Sequence, residues 1–335
     1  MKRHILFFLS ILLVYACQLK LDLSSSIVIS DIDNYWEAYD LINETTDTTK
    51  QLNLLEEHYL SKGSLGLKLL MDASYNTREK FVEAIIRYPK YYDSVRPNTL
   101  KLKQISEDLE IAINKFSVIY SEMEEFSIYF TMGAMSGVPP FNDSIVVVES
   151  ELSLIDATAN LSEYRGSFKE WMTNHIATNP RENIVFETIR QSVHTQQNKK
   201  PYKSFNYRVL EQCLWEGVAE FVCTKILNMA SPSPEIIYGK ENQDVLKLFE
   251  EDLLVGHRTH WFWSNYPSTS PIKGLGKYIG FEIANRHYNI ASNKKKAIKD
   301  LIEIDFNNHE EVHNLVDSTN VFSRPMSVLK KNIKY

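Results

Sequence analysis

Cysteine is nearly absent from this chain of 335 residues, which contains only Cys17, Cys213 and Cys223. Cys213 and Cys223 fall within one predicted helix. A separation of ten residues at 1.5 Å per residue places them roughly 15 Å apart, beyond the reach of a disulfide. We therefore expect two small buried side chains, not a disulfide or a pair of metal ligands.

Several signatures of chemistry are also missing. The sequence has no Gly-rich phosphate loop, no Gly-x-Ser-x-Gly motif and no Cys–His pattern of a thiol protease. Basic residues number 37 against 43 acidic ones, and the formal net charge is −6. The basic runs Lys199–Lys200 and Lys294–Lys296 are short, and they predict a solvated loop and a helix start. A nucleic-acid partner is not expected, because it needs a concentrated basic face.

The N-terminus has the pattern of an exported lipoprotein. Lys2 and Arg3 precede the apolar run Ile5–Val14, which is too short to span a bilayer as a stable helix. The run leads into Leu-Val-Tyr-Ala-Cys17, which resembles a bacterial lipobox. The alternative is an ordinary signal peptide in which Cys17 is incidental. We predict a chain anchored to a membrane through lipid on Cys17, in the bacterial cell envelope at its periplasmic or cell-surface face.

Hydrophobic periodicity predicts an α+β fold that is mostly α. Ser30 or Asp31 is predicted to cap a first helix, and further helical patterns run over about 49–60, 77–87 and 98–125. The runs Ser127–Met132 and Ser144–Glu149 are rich in β-branched and aromatic residues and predict two strands. A hairpin that only covers a helix face is one alternative for this pair.

The second half returns to helix. Pro180 suits the first position of a helix that continues through His194. A longer helix is predicted from Tyr207 to about Asn228, with Pro232 and Pro234 ending it. The predicted organisation is a leader (1–16), a tether (17–26), a helical region (27–125), a second region (126–322) and a C-terminal tail (323–335).

Residues 190–194, Arg-Gln-Ser-Val-His, read as a zinc-peptidase motif with altered chemistry. A working site places His-Glu-x-x-His on one helix, with both imidazoles on the metal and the glutamate as general base. Here His194 remains, but Arg190 stands at the first ligand position and Gln191 at that of the base. Arginine has no lone pair to donate, and glutamine cannot accept a proton from water at neutral pH. We predict no catalytic residue with a working role here.

The order of motifs resembles that of bacterial predicted zinc-dependent proteases, a gluzincin-like family that includes many lipoproteins. The resemblance covers roughly Ile27 to Phe322. The matching features are the strand pair ending near Tyr129-Phe130, His194-Thr-Gln-Gln197, Leu214-Trp-Glu-Gly-Val-Ala-Glu220, and Gly276-Lys-Tyr-Ile-Gly280 continuing to Ile283. It implies a zincin-like fold with a small sheet or strand pair beside the site helices, whose edge strand would hold a peptide by strand addition.

The resemblance also implies residue roles. His194 would be the second metal ligand and Glu216 the third. Glu220 would not touch the metal but would fix the orientation of one of its ligands. Tyr278 and His287 stand where related peptidases carry transition-state donors, but a structural hydrogen-bonding role is the simpler expectation for both. Because the first ligand and the base are missing, we expect no cofactor; zinc is implied only if the site still functions.

Arg190 itself supplies a candidate replacement for the metal. A buried Glu216 without a cation would lose its hydration at high cost. The guanidinium could pair with Glu216 or Glu220 and so join the two helices. The alternative is a local pair with Glu187, three residues earlier, that points to solvent.

Two further pairs of histidines have a spacing that a metal ion could use. His309-Glu-Glu-Val-His313 matches the metalloprotease signature literally, but a capped turn precedes it and Glu311 is charged. Asp317 is the sole acidic candidate after it, so a third ligand would have to come from elsewhere, such as Glu216. We interpret it as a chance match on an exposed terminal helix. His257 and His260 adjoin bulky aromatic residues and predict a packed loop lining the cleft.

These observations lead us to expect an envelope lipoprotein with a metallopeptidase-like domain that binds a peptide, a protein or an envelope component without cutting it. Two alternatives stay open. One is an active zinc metallopeptidase that uses His194, Glu216 and an unassigned ligand. The other is a structural lipoprotein with no open cleft.

Overall fold

A computed structural model describes residues 27–73, 76–135, 141–142, 144–178, 183–197, 209–242, 244–255, 261–262 and 272–329. The predicted leader and tether with Cys17 lie outside these residues, as do Pro180, His257 and His260. The protein is mostly helical with one small sheet, which confirms the predicted α+β class. Within the ranges described, no helix is long and apolar enough to cross a bilayer.

The helices and strands are numbered in chain order. The helices are α1 (Ser30–Asn43), α2 (Thr48–Leu55), α3 (Leu65–Ala73), α4 (Arg78–Arg87), α5 (Pro89–Thr99), α6 (Leu102–Ile119), α7 (Ser150–Ser153), α8 (Gly166–Thr178), α9 (Ile184–Gln196), α10 (Val209–Leu227), α11 (Pro234–Glu241), α12 (Asp244–Val255), α13 (Gly276–Ile290), α14 (Lys294–Glu303), α15 (His309–Ser318) and α16 (Met326–Leu329). The strands are β1 (Ile27–Val28), β2 (Ser127–Thr131), β3 (Phe141–Asn142) and β4 (Ile145–Glu149). A π-helical turn, Glu56–Leu60, extends α2.

The sheet has the strand order β1-β2-β4-β3. β1, β2 and β4 are parallel, and the short β3 pairs antiparallel with the start of β4. Ile128 is paired with Val146 and Phe130 with Val148, and all four side chains are buried. The two predicted strands are therefore confirmed, but the hairpin alternative is wrong, because β2 and β4 run in the same direction.

The start of α1 differs from the prediction. Ile29 occupies the N-cap position and no side chain caps the helix, so the predicted cap by Ser30 or Asp31 is wrong. The carboxylate of Asp31 instead accepts hydrogen bonds from the backbone N–H and the hydroxyl of Ser64, 2.9 and 2.5 Å away. A contact with a residue distant in sequence has replaced the local cap.

The predicted helix over 98–125 is wrong at both ends. The structure has two helices here. The first, α5, starts at Pro89, a residue that suits the first helical turn. The second, α6, ends at Ile119. Tyr120 leaves the helical conformation, and its hydroxyl donates to Glu303 of α14. This tertiary contact favours ending the helix at Ile119. The hydrophobic periodicity of the sequence alone does not reveal that end.

α10 is a central helix, buried on nearly all sides. The side chains predicted to point inward are all buried: Leu210, Leu214, Val218, Phe221, Val222 and Ile226. Cys213 and Cys223 are buried as well, as predicted. The helix ends at Leu227 because Asn228 takes a left-handed conformation, with φ of 52°, before the prolines that were predicted to end it.

Close packing of α10 on α13 depends on two glycines. A Cβ at Gly217 would overlap the backbone of Gly280 and Phe281, and a Cβ at Gly280 would overlap the carbonyl of Cys213. These glycines belong to the two helical motifs seen in the sequence. Their backbones touch, and this contact fixes the position of the helix that carries Glu216 and Glu220.

Candidate functional site

Two packed helices, α9 and α10, carry the charged side chains of the candidate site. Glu187, Arg190 and His194 recur every three or four residues and share one face of α9. Glu216 and Glu220 lie one turn apart on α10. The structure therefore brings together the residues that the sequence analysis selected on these two helices.

Arg190 lies at the centre of this cluster. Its Nη2 is 2.8 Å from Glu187 Oε2, its Nη1 is 3.3 Å from Glu216 Oε2, and its Nε is 3.6 Å from Glu220 Oε2. Only 12% of the side chain is exposed. The local pair with Glu187 and the interhelical contacts thus coexist, and the guanidinium is not directed to solvent.

The orientation of His194 is fixed by hydrogen bonds. Gln197 Nε2 donates to the carbonyl of Trp215 at 3.0 Å, so Gln197 Oε1 faces His194 Nδ1 at 2.6 Å and accepts a hydrogen bond from Nδ1–H. The lone pair of Nε2 then faces Arg190 Nη1 at 3.4 Å. The imidazole also stacks on the indole of Trp215, with ring centroids 3.7 Å apart. His194 is held as a neutral acceptor.

Glu220 is fully buried and is anchored from a segment that the sequence analysis did not select. Its Oε1 accepts from the hydroxyl of Ser231 and, at 2.7 Å, from that of Ser233. Both serines belong to the Ser-Pro-Ser-Pro turn that follows α10 and leads into α11. The prolines of this turn predicted the end of a helix, but the sequence did not show that the two serines would contact Glu220.

The charges of the cluster stabilise one another. Burial alone would raise the pKa of Glu187, but the attraction of Arg190 outweighs it and the pKa is lowered. Burial likewise opposes ionisation of Glu216, but the positive charge of the nearby Arg190 favours the carboxylate, and the pKa of Glu216 is lowered. Burial lowers the pKa of His194, in agreement with a neutral ring. For Arg190, the surrounding carboxylates outweigh burial and raise the pKa.

A zinc ion does not fit among the residues present. His194 Nε2 and Glu216 Oε2 are 3.7 Å apart, and a zinc ion bound by both would lie roughly 2 Å from each atom. Arg190 Nη1 already lies within 3.4 Å of both atoms. The guanidinium therefore fills the space in front of the two potential ligands and brings a positive charge that repels a cation. Among the described residues, no group of three or more His, Cys, Asp or Glu side chains is arranged to hold a metal ion.

Comparison of the chain with protein-family models, with curated proteins and with solved structures gave no match.

Gln191, Tyr278 and His287 were also selected from the sequence. Gln191 is half-buried on α9. Tyr278 is buried, its ring lies against Gly239 of α11, and burial raises its pKa. The ring nitrogens of His287 are buried without a hydrogen bond to any described residue, and burial lowers the pKa of that side chain.

The literal His-Glu-x-x-His sequence forms the start of α15. Asn308 caps this helix by accepting from Glu311 N–H, as the predicted capped turn requires. His309 Nδ1 is 2.8 Å from Glu211 Oε1, and 46% of its side chain is exposed. His313 is buried, so the helix is exposed on one face only. His309 thus pairs with Glu211 and not with Glu216.

A cavity of about 350 Å³ opens beside Arg190. Its walls come from α9, from the start of α11 and from the start of α13, and they carry Glu187, Arg190, Glu235, Lys273 and Lys277. This volume lies at the lower end of the range for small-molecule sites. Glu235 and Lys277 were missed because only the fold places them beside α9.

Proposed function

We propose that the protein is a lipid-anchored protein of the bacterial cell envelope whose zincin-like pair of site helices forms a binding site without peptidase activity. One observation carries the proposal: Arg190 Nη1 lies within 3.4 Å of both His194 Nε2 and Glu216 Oε2. A protonated guanidinium at this position takes the place of the metal in joining α9 to α10. The ligand would be a peptide, a protein or another envelope component.

The open cavity beside Arg190 favours binding over a purely structural role. A structural lipoprotein would have no need of a polar cavity with charged walls. The strand-addition mode of peptide binding has less support, because β3 already pairs with Ile145 and Val146 at the start of β4.

Metal analysis and a peptidase assay test the proposal. Wild-type protein incubated with zinc and then desalted should retain none, and mixed peptides should remain uncut. Stoichiometric zinc that a chelator removes, together with peptide cleavage, would instead favour an active enzyme with a rearranged ligand set. The anchor is tested separately: Cys17→Ser should move the protein from the membrane fraction to the soluble fraction.

A further inference from the structure

Three lysines lie over aromatic rings where α10, α11 and α13 end and α14 begins. They are Lys225, Lys240 and Lys294. Two of the ammonium groups lie around one ring, since Lys225 Nζ is 5.1 Å and Lys294 Nζ 4.8 Å from the ring centre of Tyr288. Lys240 Nζ lies 4.9 Å from the ring centre of Phe281. A third ring, from α10, contacts both of these rings edge to face, so the three lysines form one cluster, which we call the lysine surface.

No carboxylate balances these lysines. Within the part of the chain that the structure describes, Lys225 and Lys240 contact aromatic rings and form no ion pair. Lys294 donates to two backbone carbonyls at the end of α13 and forms no ion pair either. Burial, and then repulsion from Lys240 and Lys294, lower the pKa of Lys225. The lysine surface therefore carries positive charge for which the chain supplies no counter-ion.

The start of α14 adds to this positive charge. The run Lys294–Lys296 occupies the first turn of the helix, which contains no acidic residue. Lysines are unfavourable at this position, because the helix dipole is positive there. Lys296 pairs with Asp300, 2.6 Å away, whereas the neighbouring Lys295 is exposed. The local potential is therefore positive on a chain whose formal net charge is −6.

Exposed apolar side chains border the lysine surface. Met229, just after the end of α10, is 45% exposed, and Ile290, the last residue of α13, is 63% exposed. Ile237 lies one turn before Lys240 on α11 and is 47% exposed.

This composition favours one class of partner. Contacts with rings and helix ends account for the positions of the lysines, but not for the exposure of three apolar side chains beside them. A soluble anion would require the lysines alone. Lysines beside exposed apolar side chains are typical of surfaces that lie in the interface of an anionic membrane, where the ammonium groups reach the head groups and the apolar groups leave water.

We propose that the lysine surface binds the phosphate head groups of an anionic membrane. The lysines would contact the phosphates, and the three apolar side chains would enter the interface between head groups and acyl chains. The surface shares no residue with the lining of the cavity beside Arg190. The inference therefore goes beyond the binding function proposed above and is tested separately from it.

Quenching of a fluorescent label by lipid tests this proposal. The full-length protein with Cys17→Ser and Ile290→Cys takes the label at position 290, because Cys213 and Cys223 are buried. It is mixed with vesicles that contain a nitroxide lipid and consist of phosphatidylcholine, either alone or in equal mixture with phosphatidylglycerol. The control carries the label at Ile111→Cys on α6, where the native side chain is 55% exposed. Any contribution of the N-terminus is the same in both proteins.

We expect quenching at position 290 in the anionic vesicles and none at position 111. The equilibrium constant for contact should be on the order of a hundredfold lower in neutral vesicles, because each lysine near an anionic surface contributes about fivefold. Lys240→Gln should weaken contact about fivefold for the same reason. Lys50→Gln is the matched control, since Lys50 on α2 is also exposed and forms no ion pair with a described residue, and it should change nothing.

The proposal would be overturned by equal quenching in the two kinds of vesicle, by equal quenching at positions 111 and 290, or by equal effects of Lys240→Gln and Lys50→Gln. Binding of soluble polyglutamate with the same dependence on Lys240, without quenching by lipid, would overturn it in favour of an acidic protein partner. If Ile290→Cys fails to fold, Met229→Cys carries the label instead. Zinc retention by wild-type protein is a separate measurement, so a failure here is distinct from a failure of the proposed function.

Discussion

At the scale of single residues, one guanidinium compensates three carboxylates at the junction of α9 and α10. Arg190 contacts Glu187, Glu216 and Glu220, and Glu220 has no exposure to solvent. Such a buried cluster is weak evidence for net stability, because desolvation opposes the attraction between charges. Removing its only central cation is different, because it leaves buried charge without compensation.

Arg190→Ala should therefore lower the free energy of unfolding by about 3–5 kcal/mol. Urea denaturation at neutral pH measures this change. Arg87→Ala is the matched control, because Arg87 forms an exposed pair with Glu83 and its loss should cost under about 1 kcal/mol. Equal losses in the two variants would show that the guanidinium does not hold the helices together.

A second group of buried carboxyls lies where β4 meets α7. Glu149 and Glu151 are 2% and 0% exposed, and Glu151 accepts from the N–H of Gly133 at 2.8 Å. Burial, and then the proximity of Glu149, raise the pKa of Glu151 well above its ordinary value of 4.5. Burial therefore favours the protonated form of Glu151 in the folded protein.

The raised pKa of Glu151 gives a prediction with a definite sign. Stability from the protonated group is complete below the unfolded value near 4.5 and is lost as pH rises through the folded value. Glu151→Gln keeps a neutral side chain, so its stability relative to wild type should increase above pH 4.5, by up to about 1.4 kcal/mol per pH unit. Urea denaturation from pH 4 to 8 measures this. Parallel curves for wild type, Glu151→Gln and the exposed control Glu107→Gln would contradict it.

At the scale of elements, the close approach of α10 and α13 depends on the backbone at two glycines. Gly217 and Gly280 allow the two helices to approach until main-chain atoms touch. The sequence showed both glycines within motifs, but only the structure shows that they face each other.

Gly280→Ala should destabilise the protein by about 1–3 kcal/mol, because the added methyl group overlaps the carbonyl of Cys213. Thermal and urea denaturation measure the loss. Asn289→Ala on the exposed side of the same helix is the control for the effect of alanine in α13. A Gly280→Ala variant as stable as this control would show that α13 can move away from α10 without penalty.

Secondary structure was predictable where local pattern decides it. Runs of β-branched and aromatic residues predicted β2 and β4, and the apolar spacing of α10 predicted its inward positions. Pairing direction and helix ends were not predictable, because distant contacts decide them. The parallel pairing of β2 with β4 and the departure of Tyr120 toward Glu303 are examples.

At the scale of the whole molecule, one apolar core runs from Ile32 to Leu329, through both predicted regions and into the predicted C-terminal tail. The sequence selected the site's helices and offered Arg190 a partner in Glu216 or Glu220, with a local pair to Glu187 as the alternative, and the structure places Arg190 beside all three. It did not predict that Gln197 would donate to the carbonyl of Trp215 or that Ser231 would donate to Glu220, because the fold decides both contacts. Anchoring through Cys17 stays a prediction of the sequence.

The central claim is that Arg190 has replaced the metal of a zinc site. The most direct test is the zinc content of purified wild-type protein beside that of Arg190→His/Gln191→Glu, which restores the His-Glu-x-x-His pattern in front of Glu216. We predict no retained zinc in the wild type and about one zinc per chain in the double variant, lost again when Glu216→Gln is added. Stoichiometric, chelatable zinc in the wild type, or none in the double variant when folded, would contradict the account.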